Sequence, residues 1–411
     1  MFDVAIIGGG AAGFFAAVNI KAKHPQYKVI IIEKNSTVLN KVRVSGGGRC
    51  NVTHHCFDPN QLVKYYPRGH RELLSVFTRF NPENTIAWFR SHGVQLKTEQ
   101  DGRMFPVTDD SETIINCLLD LAEKFKVEVR KKSGVKSIHP KNTGFELETD
   151  SGTIITQKLL IAGGSSESLW QLISNLGHKI ISPVPSLFTF NIKNRLLEDL
   201  MGISFLNTQV ELDIEKTLFT QFNLKKNDLI QSGPLLITHW GLSGPAILKL
   251  SSVAAVLLHH LNYQFQIKVN FISRTIDSVS EEMQKMKKSE PKKQIINTPL
   301  FGLPQRFWQR LHSMSFQNAD IKWADVSNAD LNVLANFICN SSLQVKGKST
   351  FKEEFVTAGG VDLKEIDFKT MESKVIKNLY FAGEVINVDA LTGGFNFQAA
   401  WSEAWIVSES I

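Results

Sequence analysis

A buried strand, a glycine turn and a helix in immediate succession constrain this chain more than any other feature. Residues 4 to 7, Val-Ala-Ile-Ile, form an apolar run; residues 8 to 13 read Gly-Gly-Gly-Ala-Ala-Gly; and residues 11 to 23 carry a helical pattern. A second apolar run at 29 to 32 completes a βαβ unit. The turn fits G-x-G-x-x-G: Gly8 permits the tight turn, Gly10 lets backbone amides approach a pyrophosphate, and Gly13 lets the helix pack closely on the strand. Glu33 ends the second strand twenty residues beyond the last glycine, where a carboxylate accepts hydrogen bonds from an adenosine ribose. The unit therefore predicts a dinucleotide site, and FAD and NAD share it.

Two later segments separate those cofactors. In Ser45-Gly46-Gly47-Gly48-Arg49-Cys50-Asn51, consecutive glycines expose amides to an anion and Arg49 offers a forked cation, with Lys41 and Arg43 nearby. The alternative is a mobile surface loop. Near the C-terminus, the apolar run 379 to 382 leads into Gly383-Glu384, then Asp389, then Thr-Gly-Gly-Phe-Asn-Phe-Gln at 392 to 398. A strand ending in Gly-acid places a carboxylate on ribityl hydroxyls, and a helix starting after Gly393-Gly394 aims its first amides at the flavin N1 and C2 carbonyl. An NAD-only dehydrogenase has no use for this distant element, so the cofactor expected is FAD.

With 411 residues and 43% hydrophobic content, the chain has material for two packed cores. Strand patterns at 127 to 130, 135 to 139, 144 to 149 and 153 to 157 precede an apolar run at 159 to 161 that ends on Ala162-Gly163-Gly164, a meander returning to the parent sheet. The texture then changes to strands (187 to 192, 207 to 213, 228 to 237, 264 to 271) mixed with helices (244 to 259, 275 to 288, 304 to 313, 328 to 339). The domains expected are 1–185 and 351–411 for cofactor binding, with an insert at 186–350. Cys50, Cys56, Cys117 and Cys339 form no CxxC pair, which argues against a disulfide framework, a dithiol centre or a zinc site; no metal is expected. The net charge is +6, and its densest run, 285 to 293, reads as a solvated helix end, so no nucleic-acid partner is expected. With no signal-like N-terminus and no apolar run near 20 residues, no membrane association is expected and the localisation expected is cytoplasmic.

SGGGRCN, THWGLSGPAIL, VTAGGV, MESK and FAGEV…GGFNFQAAW occur in that order between residues 45 and 401. By these motifs the chain resembles the BaiN-like, aminoacetone-oxidase-type FAD-dependent flavoproteins, the YhiN-like NAD(P)/FAD-dependent oxidoreductases. The resemblance implies an α/β fold: a glutathione-reductase-type, Rossmann-like FAD-binding domain interrupted by a β-barrel plus helical insert. It implies pyrophosphate contacts at Gly8, Gly10, Ala12 and Gly13, ribose contacts at Glu33 and Lys34, and an adenine contact by the Val135 backbone. It further implies a flavin-side loop at 45 to 51 and flavin contacts at Gly394, Phe395, Asn396, Phe397 and Gln398. Lys41, Ala162, Gly163, Gly383, Glu384 and Asp389 complete the cofactor-binding set expected. Asn387 stands where relatives commonly carry Asp, which leaves Asp389 or Glu384 as the ribityl carboxylate.

Within the insert, Thr238-His239-Trp240-Gly241-Leu242-Ser243-Gly244-Pro245 reads as a turn into a helix capped by Ser243. His239 is the candidate catalytic acid or base; its alternative is a hinge histidine bonded to backbone. Cys50 is read as a packing thiol. The activity expected is an FAD-dependent oxidoreductase acting on a small molecule. The resemblance allows two chemistries, reduction of an enone-type C=C bond and oxidation of a small amine. Without a second G-x-G-x-x-G unit, NAD(P)H docks transiently as a co-substrate. Alternatives are a non-catalytic, redox-responsive FAD protein and an FAD-dependent tRNA-modifying enzyme.

Overall fold

Val29–Ile32 and Leu379–Phe381 are buried at every position, the signature of strands covered on both faces. In the computed structural model, which describes residues 1–349 and 356–411, both belong to a parallel sheet. Its strands are β1 (Phe2–Ile7), β2 (Val29–Ile32), β3 (Glu128–Arg130), β4 (Gly152–Ile161) and β5 (Leu379–Phe381), ordered β5-β4-β1-β2-β3. Helix α1 (Ala11–Lys23) crosses from β1 to β2, and α2 (Phe395–Ser410) closes the chain. The meander expected before β4 is present: Val135–Lys141 pairs with Gly144–Thr149, which pairs with β4. Alpha-carbon contacts divide the chain into two units, Met1–Val184 with Lys352–Ile411, and Pro185–Phe351. The expected boundary between insert and parent at 350 and 351 lies outside the described residues.

Every position from Ala12 to Lys21 of α1 is buried, because the helix packs against the sheet and α2. Phe15 sits in an aromatic cluster with Trp88 at 4.4 Å and Trp401 at 5.3 Å between ring centroids. Burying such a ring contributes roughly 1.5–3 kcal/mol, and truncating it to Ala costs about 3–5.

The second unit is built on a seven-stranded sheet ordered 341–346, 264–270, 204–213, 230–237, 241–243, 189–191, 348–349. Its two outer strands, Ser341–Lys346 and Lys348–Ser349, are separated only by Gly347, whose carbonyl accepts from Asn191 and whose amide donates to Tyr263. The sheet therefore closes on itself as a barrel. Helices Ile276–Ser289, Gln305–Ser315 and Asn328–Cys339 share its core around Trp308 and Trp323. The helix expected at 244 to 259 divides into Pro245–Val253 and Ala255–His260, and Ser243 does not cap it. Ser243 belongs to strand Gly241–Ser243, and Gly244 takes the cap position at φ +94°, where an added Cβ would lie 2.8 Å from the Pro234 carbonyl oxygen.

Candidate functional site

The carboxyl ends of four parallel strands gather Gly383–Glu384 (β5), Ala162–Gly163 (β4), Gly8–Gly10 (β1) and Glu33 (β2) along one sheet edge. Ligands of open α/β sheets bind at this edge. Gly8 has φ +112°, and a Cβ there would lie 2.4 Å from the Ala162 carbonyl oxygen; one at Gly13 would lie 2.0 Å from the Gly8 oxygen. The turn thus admits no side chain at either position. Gly10 caps α1 without a side-chain hydrogen bond, the first turn holds no acidic residue, and nothing lies within 4 Å of a Cβ built at Gly10. Space is therefore open at Gly10, at the positive end of the α1 dipole, where the first-turn amides have no cap.

Glu33 is nearly buried; its Oε2 accepts from the Gly9 amide at 2.8 Å and its Oε1 from the Asn35 amide at 2.8 Å, which holds the carboxylate at the turn. The Ser133 amide donates to the Glu33 carbonyl at 2.9 Å, bringing the segment that leads to Val135 alongside. Lys34 is exposed, with Nζ 3.3 Å from Ser166 Oγ. Lys41, on the kinked helix Asn40–Gly48, forms an ion pair with Glu384, and the Gly383 amide donates to Glu403 Oε2 at 2.6 Å.

The glycine loop and the C-terminal helix start, far apart in sequence, come together. With its amide oriented to satisfy both neighbours, Asn51 accepts from the Gly394 amide at 2.9 Å and donates to the Thr53 carbonyl at 3.1 Å. Gly46, Gly47 and Gly48 are all left-handed, and Ser45 donates to the Val42 carbonyl. Gly394 caps α2 at φ +88°; its own amide is taken by Asn51, and no acid lies in the first turn, so the positive end of the helix dipole meets no opposing charge there. Phe395 stacks on Tyr65 at 4.1 Å and on His54 at 4.5 Å, and Tyr66 donates from its hydroxyl to the Phe395 carbonyl at 2.6 Å.

Several side chains are engaged otherwise than their residue types suggested. Arg49 does not offer its fork to an anion: it pairs with Glu99 at 2.6 Å and Asp109 at 3.6 Å and lies 4.0 Å over the Phe105 ring. Arg43 pairs with Glu112. Asp389 is fully buried in a two-pronged ion pair with Arg68, so its carboxylate is directed into the protein. Gln398 is buried, its Oε1 accepting from Thr53 and Thr85 and its Nε2 donating to Ser402. Asn396 closes a two-way amide bond with the Ala390 backbone, and Phe397 stacks on Trp401. Asn387 accepts from the Gly359 amide at 3.0 Å. Burial pushes the Cys50 thiol up to about 12, which keeps it protonated and unreactive. His239 lies in the second unit, exposed in the turn between Ile230–Ile237 and Gly241–Ser243.

Two titratable groups, one half-buried and one buried, escaped the sequence reading. His54 Nε2 faces the Asp101 carbonyl at 3.1 Å, which assigns the ring proton to that nitrogen, while Nδ1 is buried without a partner among the described residues. Burial lowers its pKa, so the ring is neutral at pH 7. Glu403 is wholly buried in α2, and desolvation raises it to about 8. The available signal was a lone acid in the apolar run Ala-Ala-Trp-Ser-Glu-Ala-Trp. Among the described residues no group of three or more His, Cys, Asp or Glu is placed to hold a metal ion, and no helix is long and apolar enough to cross a membrane.

The residues present fit FAD. A turn intolerant of side chains leads into an uncapped helix start suited to a pyrophosphate, a fixed carboxylate beside it suits a ribose, and the start of α2, with no acid in its first turn, suits a ring that gains negative charge on reduction.

Fold and site define an FAD-dependent oxidoreductase of Rossmann type. The chain belongs to the family described as HI0933-like protein Rossmann domain, which matches residues 2–410. It is 28% identical to the ribosomal RNA dihydrouridine synthase of Escherichia coli K12, over all of this chain and 98% of that protein. It is 23% identical to the 3-dehydro-bile acid delta(4,6)-reductase of Clostridium scindens, over all of this chain and 99% of that protein. Among solved structures, the 3-ketosteroid-delta4-(5alpha)-dehydrogenase of Rhodococcus jostii RHA1 shares the fold, with a TM-score of 0.51 at 12% identity over all of this chain and 96% of that one.

Proposed function

We propose that this chain reduces a carbon-carbon double bond conjugated to a carbonyl. The observation that carries the reading is the glycine-capped start of α2, tied to the glycine loop through Asn51, which offers peptide amides and no competing acid to a group that becomes anionic when reduced. When bound, FAD supplies hydride transfer. Two relatives support this reaction type: making dihydrouridine from uridine, and reducing a delta(4,6) 3-dehydro steroid, each saturate a C=C bond conjugated to a carbonyl.

In this reading the Gly8–Gly13 turn and the first amides of α1 bind the pyrophosphate, Glu33 and Lys34 orient the ribose, and the Val135 backbone lines the adenine. The Lys41–Glu384 pair replaces Asp389 as the polar group for the ribityl chain, because Asp389 is engaged by Arg68. The proton donor assigned in this reading is His239, and NAD(P)H supplies electrons by transient docking. Oxidation of a small amine is the competing chemistry.

A second substrate reading, uridine within RNA, is favoured by the charge distribution. Residues 185–351 hold 18 Lys and Arg against 13 Asp and Glu, so +5 of the chain's +6 lies in the second unit. Anaerobic titration of the yellow protein with NADH and NADPH, followed by mixing with a cyclic enone, an unmodified ribosomal RNA transcript or aminoacetone, tests all three. Flavin bleaching and reoxidation by enone or RNA, with two hydrogens gained by the product, is the expected result. Reduction by the amine with no reoxidation by either acceptor would overturn the proposal.

A further inference from the structure

Glu403 is a wholly buried acid in the cofactor-binding unit with no ion pair among the described residues: Oε2 accepts from the Gly383 amide at 2.6 Å, and Oε1 is buried with no hydrogen-bond partner among the described residues. Gly383 stands at the carboxyl end of β5 with φ +80°, and a Cβ there would lie 3.2 Å from the Ala12 side chain, in the first turn of α1. The carboxyl group thus lies directly behind a peptide that abuts the helix start fitted to a pyrophosphate. A neutral acid holds that peptide without placing a charge there. An ionised one bonds the Gly383 amide more strongly but sets an unsolvated negative charge beside a site built for a dianion.

We propose that Glu403 is a positioning residue that links FAD retention to protonation: in both states it anchors the Gly383 peptide, and its ionisation weakens the cofactor's hold by placing a buried negative charge behind the pyrophosphate site. Other titratable groups around α2 leave this link distinguishable. Tyr66, which feels Glu403, is pushed well above its usual value, His54 is lowered and stays neutral, and Cys50 is raised to about 12. Lys41 and Glu384 form an ion pair beside Gly383, Asp389 is paired with Arg68, and Lys23, Arg79 and Glu409 interact with one another around the far end of α2. The helix Pro82–Ser91 turns the neutral Thr85 and Trp88 inward. Since Glu403 itself sits near 8, the link operates on the alkaline side of neutrality.

The test is the FAD dissociation constant of the full-length protein between about pH 6.5 and about pH 9.5, by fluorescence quenching of added FAD. Affinity should fall at least about tenfold across that range in the native sequence and stay flat in Glu403→Gln, which keeps an acceptor for Gly383 and cannot ionise. Calorimetry of FAD binding to the native protein at about pH 8, in buffers of different ionisation enthalpy, should show net proton uptake, a readout that needs no variant. No proton uptake, or the same pH dependence in Glu403→Gln, would overturn the link. Neither readout involves turnover, so the result stands apart from which substrate the enzyme reduces.

Discussion

Replacing Asp389 by Ala should destabilise the FAD-free protein far more than a lost cofactor contact would. Asp389 is 0% exposed and Arg68 16%, so the substitution leaves a guanidinium that is largely shielded from water opposite an empty space. At contact distance and an effective dielectric of ~20, the lost attraction is on the order of 4 kcal/mol, in line with the about 3–5 kcal/mol typical of breaking a buried pair. The two residues also form a backbone bridge, and next to it Leu391 donates to the Tyr65 carbonyl, so loosening spreads toward the start of α2. Urea and thermal unfolding of the FAD-free protein should therefore show a loss of about 3–5 kcal/mol, or about 6–20 °C in the transition of the first unit. An apolar double replacement, Arg68→Met with Asp389→Leu, should recover much of that loss, because it removes both charges. The reasoning fails if Asp389→Ala costs less than about 1 kcal/mol without FAD yet weakens FAD binding by about a hundredfold or more. That combination would return Asp389 to the cofactor.

The pH dependence of stability carries a definite sign for Glu403. Its folded value near 8 lies above the usual 4.5, so its contribution is fully present below about 4.5 and declines until about 8; Glu403→Gln should gain on the native protein over that window, by at most about 5 kcal/mol, in denaturation series run at each pH. Gly13→Ala should abolish yellow colour on purification, since its Cβ would overlap the Gly8 carbonyl oxygen at 2.0 Å; retention of stoichiometric FAD would contradict the fit of the turn. Cys50 should resist thiol reagents at neutral pH in the folded protein, since its thiol is buried and shifted to about 12, and mass spectrometry after brief alkylation should find it unmodified.

Local pattern was legible in the sequence where it depends on neighbours. The helix at 11 to 23 and the strand at 29 to 32 fall on the expected residues, as does Asn328–Cys339, because period and capping are written within each segment. Asn81 caps the helix Pro82–Ser91 through a reciprocal bond with Asn84, a contact again written within one segment. What escaped were partnerships across the chain. Arg49 meets Glu99 fifty residues away and Arg68 meets Asp389 across 321, so motif reading had no means of knowing that either charge was already engaged. Gly244 displaced Ser243 as cap because the approach of Pro234, set by strand pairing, leaves no room for a side chain. Glu403 was passed over because an acid in a helix ordinarily signals solvent, and only packing against α1 and β5 makes it internal.

The closure of the second unit through Gly347 has an architectural consequence. Thr189 and Ser349 are directly opposed on adjacent antiparallel strands, so the chain enters the barrel and leaves it at neighbouring points. A module whose two ends meet can be spliced into a surface turn of a host without stretching the host's own elements, and can be exchanged for another of like span.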